Sequence, residues 1–297
     1  MRGEKSRSNY LCSPNYFVKQ QLILTIGGLL LLFSLFLFGR IESQKSNFPH
    51  TEHTAAAFSI NDSIQRAKQG LTSSQLLYIT NLENSITRGD VKLQSHNNFI
   101  HLANFWKDSV KAFVPYAYYL SEASKLDNSE KSLTFAARLI LDSMRREENE
   151  VIKAWEAETA IVLFEKAIII NPGNDDLRIG LGSCYVYGKG MAGNAAETMK
   201  GIQELIKVVE KDSNNMKAQM LLGIGGVVSK QYDKAIVRLN KVVAAEPGNL
   251  EAISWLADVY AESGDKKNAV KWYEYSKKLV NNPAYSREVD LRIKALL

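Results

Sequence analysis

The sequence predicts an all-α protein, a solenoid of about twelve helices preceded by a single transmembrane helix near the N-terminus. Three observations predict this fold class. Apolar residues recur at helical spacing along most of the chain after residue 70, an interval of 34 residues separates the equivalent residues Met216 and Leu250, and Leu22 to Phe38 form an uncharged apolar run. A fixed period of this length is typical of arrays built from pairs of helices.

The apolar run from Leu22 to Phe38 contains 17 residues. As a helix it spans roughly 25 Å, and its uncharged neighbours extend it toward the roughly 30 Å hydrocarbon core of a bilayer. A cleaved signal peptide would have a shorter apolar core and a cleavage site of small residues, whereas this run ends in Phe36-Leu37-Phe38-Gly39-Arg40. The sequence therefore predicts an uncleaved transmembrane helix over residues 22–39.

Flanking charges predict the orientation of this helix. The basic residues before it are Arg2, Lys5, Arg7 and Lys19, and those after it, up to residue 65, are Arg40 and Lys45. Because the side richer in Lys and Arg stays in the cytoplasm, residues 1–21 are predicted to form a cytoplasmic basic tail. The chain after residue 39 is then expected on the other side of the membrane.

Residues 40–70 mix Ser, Asn, Thr and one Pro without a helical apolar period, which predicts an extended or mobile linker. His50 and His53 lie three residues apart in this segment. Two histidines beside Pro49 do not complete a metal site, since zinc takes three or four protein ligands. No metal or other cofactor is predicted.

Two consecutive 34-residue copies in the C-terminal half carry a family resemblance. The copy 250–283 resembles a tetratricopeptide repeat (TPR), with family motif residues Leu256, Ala257, Tyr260, Ala269, Tyr273 and Ser276. The copy 216–249 has Leu222, Gly223, Ala235, Leu239, Val242 and Pro247 at motif positions, and departs from the family at Gly226, where an aromatic residue is usual. Small residues are expected where the two helices cross, because a larger side chain would push the helix axes apart.

A glycine-rich stretch, Gly188 to Gly193, matches the G-x-G-x-x-G pattern of dinucleotide-binding loops. The TPR register argues against that function. A third copy, 175–215, places Leu181, Gly182 and Tyr185 at motif positions, so the segment before the glycines should end a helix and not form a strand. This copy has 41 residues, and its seven extra residues are predicted to enlarge the turn between its two helices, where glycines can adopt positive φ angles.

The remaining chain is predicted to be helical with weaker repeats. Residues 71–149 read as degenerate helical repeats, 150–283 as the TPR array and 284–297 as a capping helix with one apolar face. Residues 156–174 are predicted to form the second helix of an earlier pair, because Phe164 and Pro172 match positions of the TPR motif. The aromatic residues Tyr116, Tyr118, Tyr119 and Trp106 are expected to pack in the core.

No catalytic motif is present, which predicts that the chain is not an enzyme. Its net charge of +5 comes from basic residues interspersed with acidic ones, so a nucleic-acid partner is not expected. Cys12 and Cys184 are predicted to lie on opposite sides of the membrane, which excludes a disulfide within the chain. Cys184 is expected to be a small buried apolar residue.

The TPR resemblance implies that the first helix of each pair lines a concave groove. Residues at the groove-facing positions of the family are expected to contact a partner: Ile179, Ser183, Tyr187, Lys217, Met220, Ile224, Val228, Glu251, Ser254 and Asp258. The groove positions of the copy 216–249 are largely apolar. The Lys and Asn residues with which some TPR proteins bind the C-terminal carboxylate of chaperones are absent. An apolar helix or extended peptide is therefore the expected ligand.

The resemblance extends to membrane-anchored TPR proteins of the Gram-negative envelope, including uncharacterised TPR proteins of Bacteroidota. It implies a single-pass inner-membrane scaffold whose array lies in the periplasm and binds a protein or peptide partner. Two alternatives remain open. The chain could be a self-associating structural anchor, and so a homo-oligomer, or an assembly factor for cytochrome c maturation.

Overall fold

Helix pairs stacked side by side make up the part of the chain that the computed structural model describes, residues 58–88 and 92–297. These residues form thirteen α-helices and two π-helical segments and contain no β-strand, which confirms the predicted all-α class for them. The first six helices are α1 (Ile60–Lys68), α2 (Ser73–Arg88), α3 (Lys92–Asn104), α4 (Phe113–Asp127), α5 (Glu130–Met144) and α6 (Glu150–Ile170). The others are α7 (Asp175–Ser183), α8 (Ala195–Lys211), α9 (Met216–Val228), α10 (Tyr232–Ala245), α11 (Leu250–Glu262), α12 (Lys266–Val280) and α13 (Pro283–Leu296).

Three helix pairs, α7 with α8, α9 with α10 and α11 with α12, contain the predicted repeats. The first helix of each pair starts directly after an asparagine whose side-chain oxygen accepts a backbone N–H of the first turn. These asparagines are Asn174 (3.1 Å), Asn215 (3.1 Å) and Asn249 (3.0 Å). An N-cap of this kind satisfies an amide that has no partner within the helix. The cap thus marks each repeat boundary.

Small residues stand where the two helices of a pair cross, as predicted. A methyl group added at Gly182 would lie 2.6 Å from Leu205 Cγ, and one at Gly223 would lie 2.7 Å from Leu239 Cγ. In the third pair Ala257 is fully buried against Ala269 and Tyr273. The helix axes can therefore approach only because the side chain is absent or short.

A carbonyl in the turn before each first helix accepts a side-chain hydrogen bond. The three acceptors, Pro172, Ser213 and Pro247, hold equivalent positions in the repeats. Their donors are Arg178 Nη2 (3.1 Å) for the first, Gln219 Nε2 (2.8 Å) and Lys241 Nζ (2.6 Å) for the second, and Tyr275 Oη (3.2 Å) for the third. Different residue types thus satisfy one recurring backbone group, which has no partner in the preceding helix.

Compared with the second pair, the first pair has three extra residues in its first helix, one in its turn and three in its second helix. The prediction that all seven extra residues enlarge the turn is therefore wrong. α7 continues as a π-helix over Cys184–Gly190, which confirms that this segment ends a helix and is not a strand. A methyl group at Gly188 would lie 2.5 Å from Ala157 Cβ, so close packing requires this glycine. Gly193 adopts the positive φ angle expected of a turn, at 83°. The enlarged exposed turn is therefore limited to residues 191–194.

The helices upstream follow the prediction, with two differences. Residues 60–68 form α1, capped by Ser59, so the prediction of an extended linker up to residue 70 is wrong for its last part. Ile64 packs one side of α1 into the core, and this burial stabilises the short helix. α6 begins at Glu150, six residues before the predicted segment, because Asn149 caps it there.

The aromatic residues of α3 and α4 lie in the core, as predicted. Trp106 is fully buried in a π-helical continuation of α3, Phe105–Val110, and Tyr119 is buried in the same core cluster. Tyr116 and Tyr118 are half-buried against that cluster. Burial of these large rings stabilises the weakly repetitive half of the array.

The last helix, α13, covers the end of the array. Val289 is buried against Ala257, Ala269 and Tyr273, while Leu291 on another side of the helix is exposed. A helix with one apolar face in this position shields the final repeat from water. The predicted capping helix is present.

None of the helices in residues 58–88 and 92–297 combines the length and the apolar character needed to cross a membrane. The predicted transmembrane helix at 22–39, the basic tail 1–21 and the linker up to residue 57 lie outside the described residues.

Candidate partner-binding surface

The first helices of successive pairs contact one another, α5 with α7, α7 with α9, and α9 with α11. The second helices α8, α10 and α12 make no comparable contacts with each other. Since the first helices lie closer together, they form the inner face of the stack. The second helices form its outer face.

The ten predicted groove residues all belong to these first helices or to the π-helix that extends α7, but they differ in burial. Lys217 is exposed, and Met220, Val228, Glu251, Ser254 and Asp258 are half-buried. Ile179, Ser183 and Tyr187 are nearly inaccessible, with 9%, 8% and 7% of their surface exposed. Ile224 is completely buried. The inner face is therefore open along α9 and α11 and closed along α7.

The expectation that Ile179 and Ile224 present exposed side chains to a partner is wrong. Both lie in one apolar cluster with Met144 at the end of α5, and Trp255 of α11 packs against that cluster. Side chains of neighbouring first helices thus cover these positions. They contribute to the core, and burial of each contributes roughly 1.5 to 3 kcal/mol.

A three-residue bridge crosses the inner face. Tyr187 Oη donates a hydrogen bond to Glu251 Oε1 at 2.6 Å, and Arg145 Nη2 lies 2.7 Å from the same oxygen. The Arg145 guanidinium carbon also lies 4.8 Å from the centre of the Tyr187 ring, within cation–π range. Burial raises the pKa of the Tyr187 hydroxyl, and the hydrogen bond to Glu251 raises it further. The hydroxyl therefore stays protonated and can donate.

Asp258 is held in a similar way near the C-terminal end of the array. Its Oδ1 accepts a hydrogen bond from Tyr273 Oη at 2.5 Å and lies 3.3 Å from Arg292 Nη1 of α13. Burial raises the pKa of the Tyr273 hydroxyl, and the hydrogen bond to Asp258 raises it further. Both predicted groove carboxylates are thus occupied by contacts within the chain.

Four predicted residues remain accessible without such an ion pair, and we call them the inner strip: Lys217, Met220, Val228 and Ser254. Lys217, Met220 and Val228 are separated by three and eight residues, so they share one face of α9. Lys217 forms no ion pair with any residue that the structure describes. The strip therefore offers two apolar side chains, a hydroxyl and an unpaired ammonium group.

Arg145 is the functional candidate that the sequence did not reveal. It lies in the charged stretch 145–150, which reads as solvated helix surface, and its partner Glu251 is 106 residues away. No local pattern signals such a contact.

Other chemical groups do not assemble into a site. Within residues 58–88 and 92–297, no cluster of His, Cys, Asp and Glu could hold a metal ion. Cys184 is fully buried and unpaired, and burial raises the pKa of its thiol, as suits a structural residue. That the glycine-rich segment binds no nucleotide stays a prediction.

One family matches part of the chain. A family described as "Anaphase-promoting complex, cyclosome, subunit 3" matches residues 228–287, about a fifth of the sequence, from the end of α9 to the start of α13. No curated protein matches the sequence.

Several solved structures are similar in fold. TTC0263, a thermophilic TPR protein of Thermus thermophilus, is 16% identical with a TM-score of 0.48, over 68% of this chain and 98% of that one. YrrB, described as a TPR protein with an unusual peptide-binding site, is 16% identical with a TM-score of 0.44, over 79% and 99%. PilW, a widely conserved type IV pilus biogenesis factor, is 17% identical with a TM-score of 0.43, over 68% and 93%. The 34-residue period and the paired helices of this chain make its repeats TPR-like.

Proposed function

We propose that this chain is a TPR-type scaffold that binds a protein partner through the inner strip. The main evidence is that Met220 and Val228 remain accessible on one face of α9, beside the unpaired Lys217. The apolar residues that the fold itself requires, such as Ile224 on the same face, are fully buried. Accessible apolar side chains grouped with polar ones are typical of surfaces that a partner covers.

The paired carboxylates restrict what the inner strip can accept. Ser254 lies on α11 between Glu251 and Asp258, whose charges are neutralised by Arg145 and Arg292. A ligand therefore meets few free charges apart from Lys217. A helix or extended segment with apolar side chains and one carboxylate near Lys217 fits this surface.

The proposal includes the membrane attachment that the sequence predicts. The apolar run 22–39 and the basic residues before it support a single-pass anchor with the array in the periplasm. An anchored scaffold would hold its partner close to the inner membrane.

Site-specific photocrosslinking in intact cells tests this function. A photoreactive amino acid at Lys217 or Ser254 of the full chain should capture a partner, whereas the same group at Lys207 on the outer face should not. The adduct should disappear in the double variant Met220→Ser, Val228→Ser. An apocytochrome in the adduct would indicate cytochrome c maturation, and a second copy of the chain would indicate self-association. Equal capture from all three positions would refute binding at the inner strip.

A further inference from the structure

A cleft of about 620 Å³ opens on the outer face, between α10 and α12. Its lining includes Val243, Ala244 and Pro247 on one side and Trp272, Tyr275 and Lys278 on the other. The lining is mostly apolar. Because α10 and α12 are second helices, this cleft faces away from the inner strip.

Two aromatic rings form one wall of the cleft in a fixed arrangement. The ring centres of Trp272 and Tyr275 are 5.8 Å apart and the rings are perpendicular. Tyr275 Oη donates a hydrogen bond to the carbonyl of Pro247 at 3.2 Å, across the cleft mouth. The Tyr275 side chain nevertheless keeps 38% of its surface exposed. The wall is thus pre-organised before any ligand binds.

The two earlier pairs have no aromatic residues at these positions. One period earlier, Trp272 corresponds to Arg238 and Tyr275 to Lys241, and two periods earlier the residues are Glu204 and Lys207. Both earlier pairs fold with charged side chains at these positions.

Three of the four charged residues in the earlier pairs contact the first helix of their pair or the turn before it. Glu204 forms an ion pair with Arg178, and Arg238 Nη1 donates to Gln219 Oε1 at 2.7 Å. Lys241 donates to the Ser213 carbonyl, as Tyr275 does to the equivalent Pro247 carbonyl. The contact with the carbonyl needs only a donor. Trp272 is half-buried against core residues, whereas Tyr275 adds an exposed aromatic surface that the earlier pairs lack.

Positive charge surrounds the apolar wall. Lys271 Nζ lies 5.2 Å from the centre of the Trp272 ring, and Lys278 forms no ion pair with any described residue. Glu274, the acidic residue of the lining, pairs with Lys277 at 3.2 Å, and Lys277 also pairs with Asp290 outside the lining. The cleft therefore combines an apolar floor with a rim in which two lysines outnumber one carboxylate.

We propose that this outer cleft binds an extended segment of a partner protein that presents an apolar side chain flanked by Asp or Glu. The apolar side chain would cover Trp272 and Tyr275, and the carboxylates would meet Lys271 and Lys278. A basic segment would be repelled by the same lysines. A flat anionic surface would contact the lysines without filling the cleft. This site lies on the outer face and does not depend on binding at the inner strip.

The test selects a displayed library of random heptapeptides on the full chain in detergent micelles, then measures the enriched peptides by fluorescence anisotropy. Enriched peptides should contain an apolar residue next to an acidic one. The double variant Trp272→Glu, Tyr275→Lys introduces the residue types found at the equivalent positions of α8, Glu204 and Lys207. It leaves the net charge unchanged. It should weaken binding at least about tenfold.

Two further variants keep the test decisive. Lys271→Gln with Lys278→Gln changes exposed residues only, and should weaken binding about threefold or more and reduce its salt dependence. The inner-strip variant Met220→Ser, Val228→Ser should bind the peptides like the wild type. The proposal is overturned if no peptide is enriched, if peptides lacking the apolar residue bind equally well, or if the lysine variant binds with unchanged affinity and salt dependence.

Discussion

Tyr187 and Glu251 are joined by a hydrogen bond of 2.6 Å across the inner face, although they belong to different helix pairs and lie 64 residues apart in the chain. Arg145, the residue that directly follows α5, neutralises the carboxylate. The bridge thus combines a buried donor with a charged acceptor, which is the stronger class of hydrogen bond.

Replacing Tyr187 by Phe should lower the free energy of unfolding by about 1 kcal/mol. The ring and its packing remain, while one hydrogen bond to a charged, partly exposed acceptor is lost. Urea denaturation followed by circular dichroism measures the change. The matched control is Tyr185→Phe, because Tyr185 Oη lies 3.4 Å from Glu165 Oε1 and that hydrogen bond is long and weak. Equal losses in the two variants would show that the bridge adds no stability of its own.

Glu156 should make the protein less stable as the pH rises from about 5 to about 7. Its side chain is fully buried, Oε1 accepts a hydrogen bond from Ser143 Oγ at 2.8 Å, and Oε2 has no partner among the described residues. Burial raises the pKa of Glu156 from 4.5 to about 7. In this pH window the folded protein keeps a proton that the unfolded chain releases, so increasing pH favours unfolding by up to roughly 3 kcal/mol.

The variant Glu156→Gln isolates this effect, because an amide cannot ionise but still accepts from Ser143. Its free energy of unfolding should change less between pH 5 and pH 8 than that of the wild type. At pH 8 the variant should be the more stable protein. A series of urea titrations across this range gives both quantities, and parallel pH profiles for the two proteins would rule out a buried ionising Glu156.

Ile224 and Met220 should respond differently to truncation, although both occupy predicted groove positions. Ile224→Ala should cost roughly 2 to 5 kcal/mol, because its side chain is completely buried. Met220→Ala removes a half-buried side chain and should cost less than half as much. Leu222→Ala, at a helix-crossing position, serves as the reference for a core residue. If Met220→Ala unfolds as easily as Leu222→Ala, the inner strip is part of the core.

A reporter that is active only outside the cytoplasm, fused after Leu297, should be active in cells. The four basic residues before the apolar run outnumber the two that follow it, which favours a cytoplasmic N-terminus. The control fuses the same reporter after Lys19, before the apolar run, where it should be inactive. Activity only from the second fusion would reverse the predicted orientation.

The regular repeats could be predicted from the sequence because their signals are local. The 34-residue period, the small residues at helix crossings and the turns before each first helix each lie within one helix pair. The structure adds that Asn215 and Asn249, one period apart, cap those helices. α1 was also predictable, since Ser59, Ile60, Ile64 and Ala67 supply a cap and a helical apolar face.

The closure of the inner face could not be predicted in this way. The position of a residue in the repeat shows on which face of α7 or α9 it lies. It does not show which side chain from a distant part of the sequence covers it. Ile179 lies in one cluster with Met144, from a helix outside the well-matched copies, and Glu251 meets Arg145 across 106 residues. Such contacts depend on how tightly the stack curves, which no single repeat encodes.

The ion pair between Arg145 and Glu251 has a consequence for cooperativity. In a linear array each unit interacts only with its neighbours, so the ends can open while the middle stays folded. The contact from Arg145, directly after α5, to α11 skips the intervening helix pairs, so opening either the α5–α6 pair or the α11–α12 pair must break it. Amide hydrogens of α5 and α11 should therefore exchange in one concerted opening, and Arg145→Met should let the two helices exchange independently.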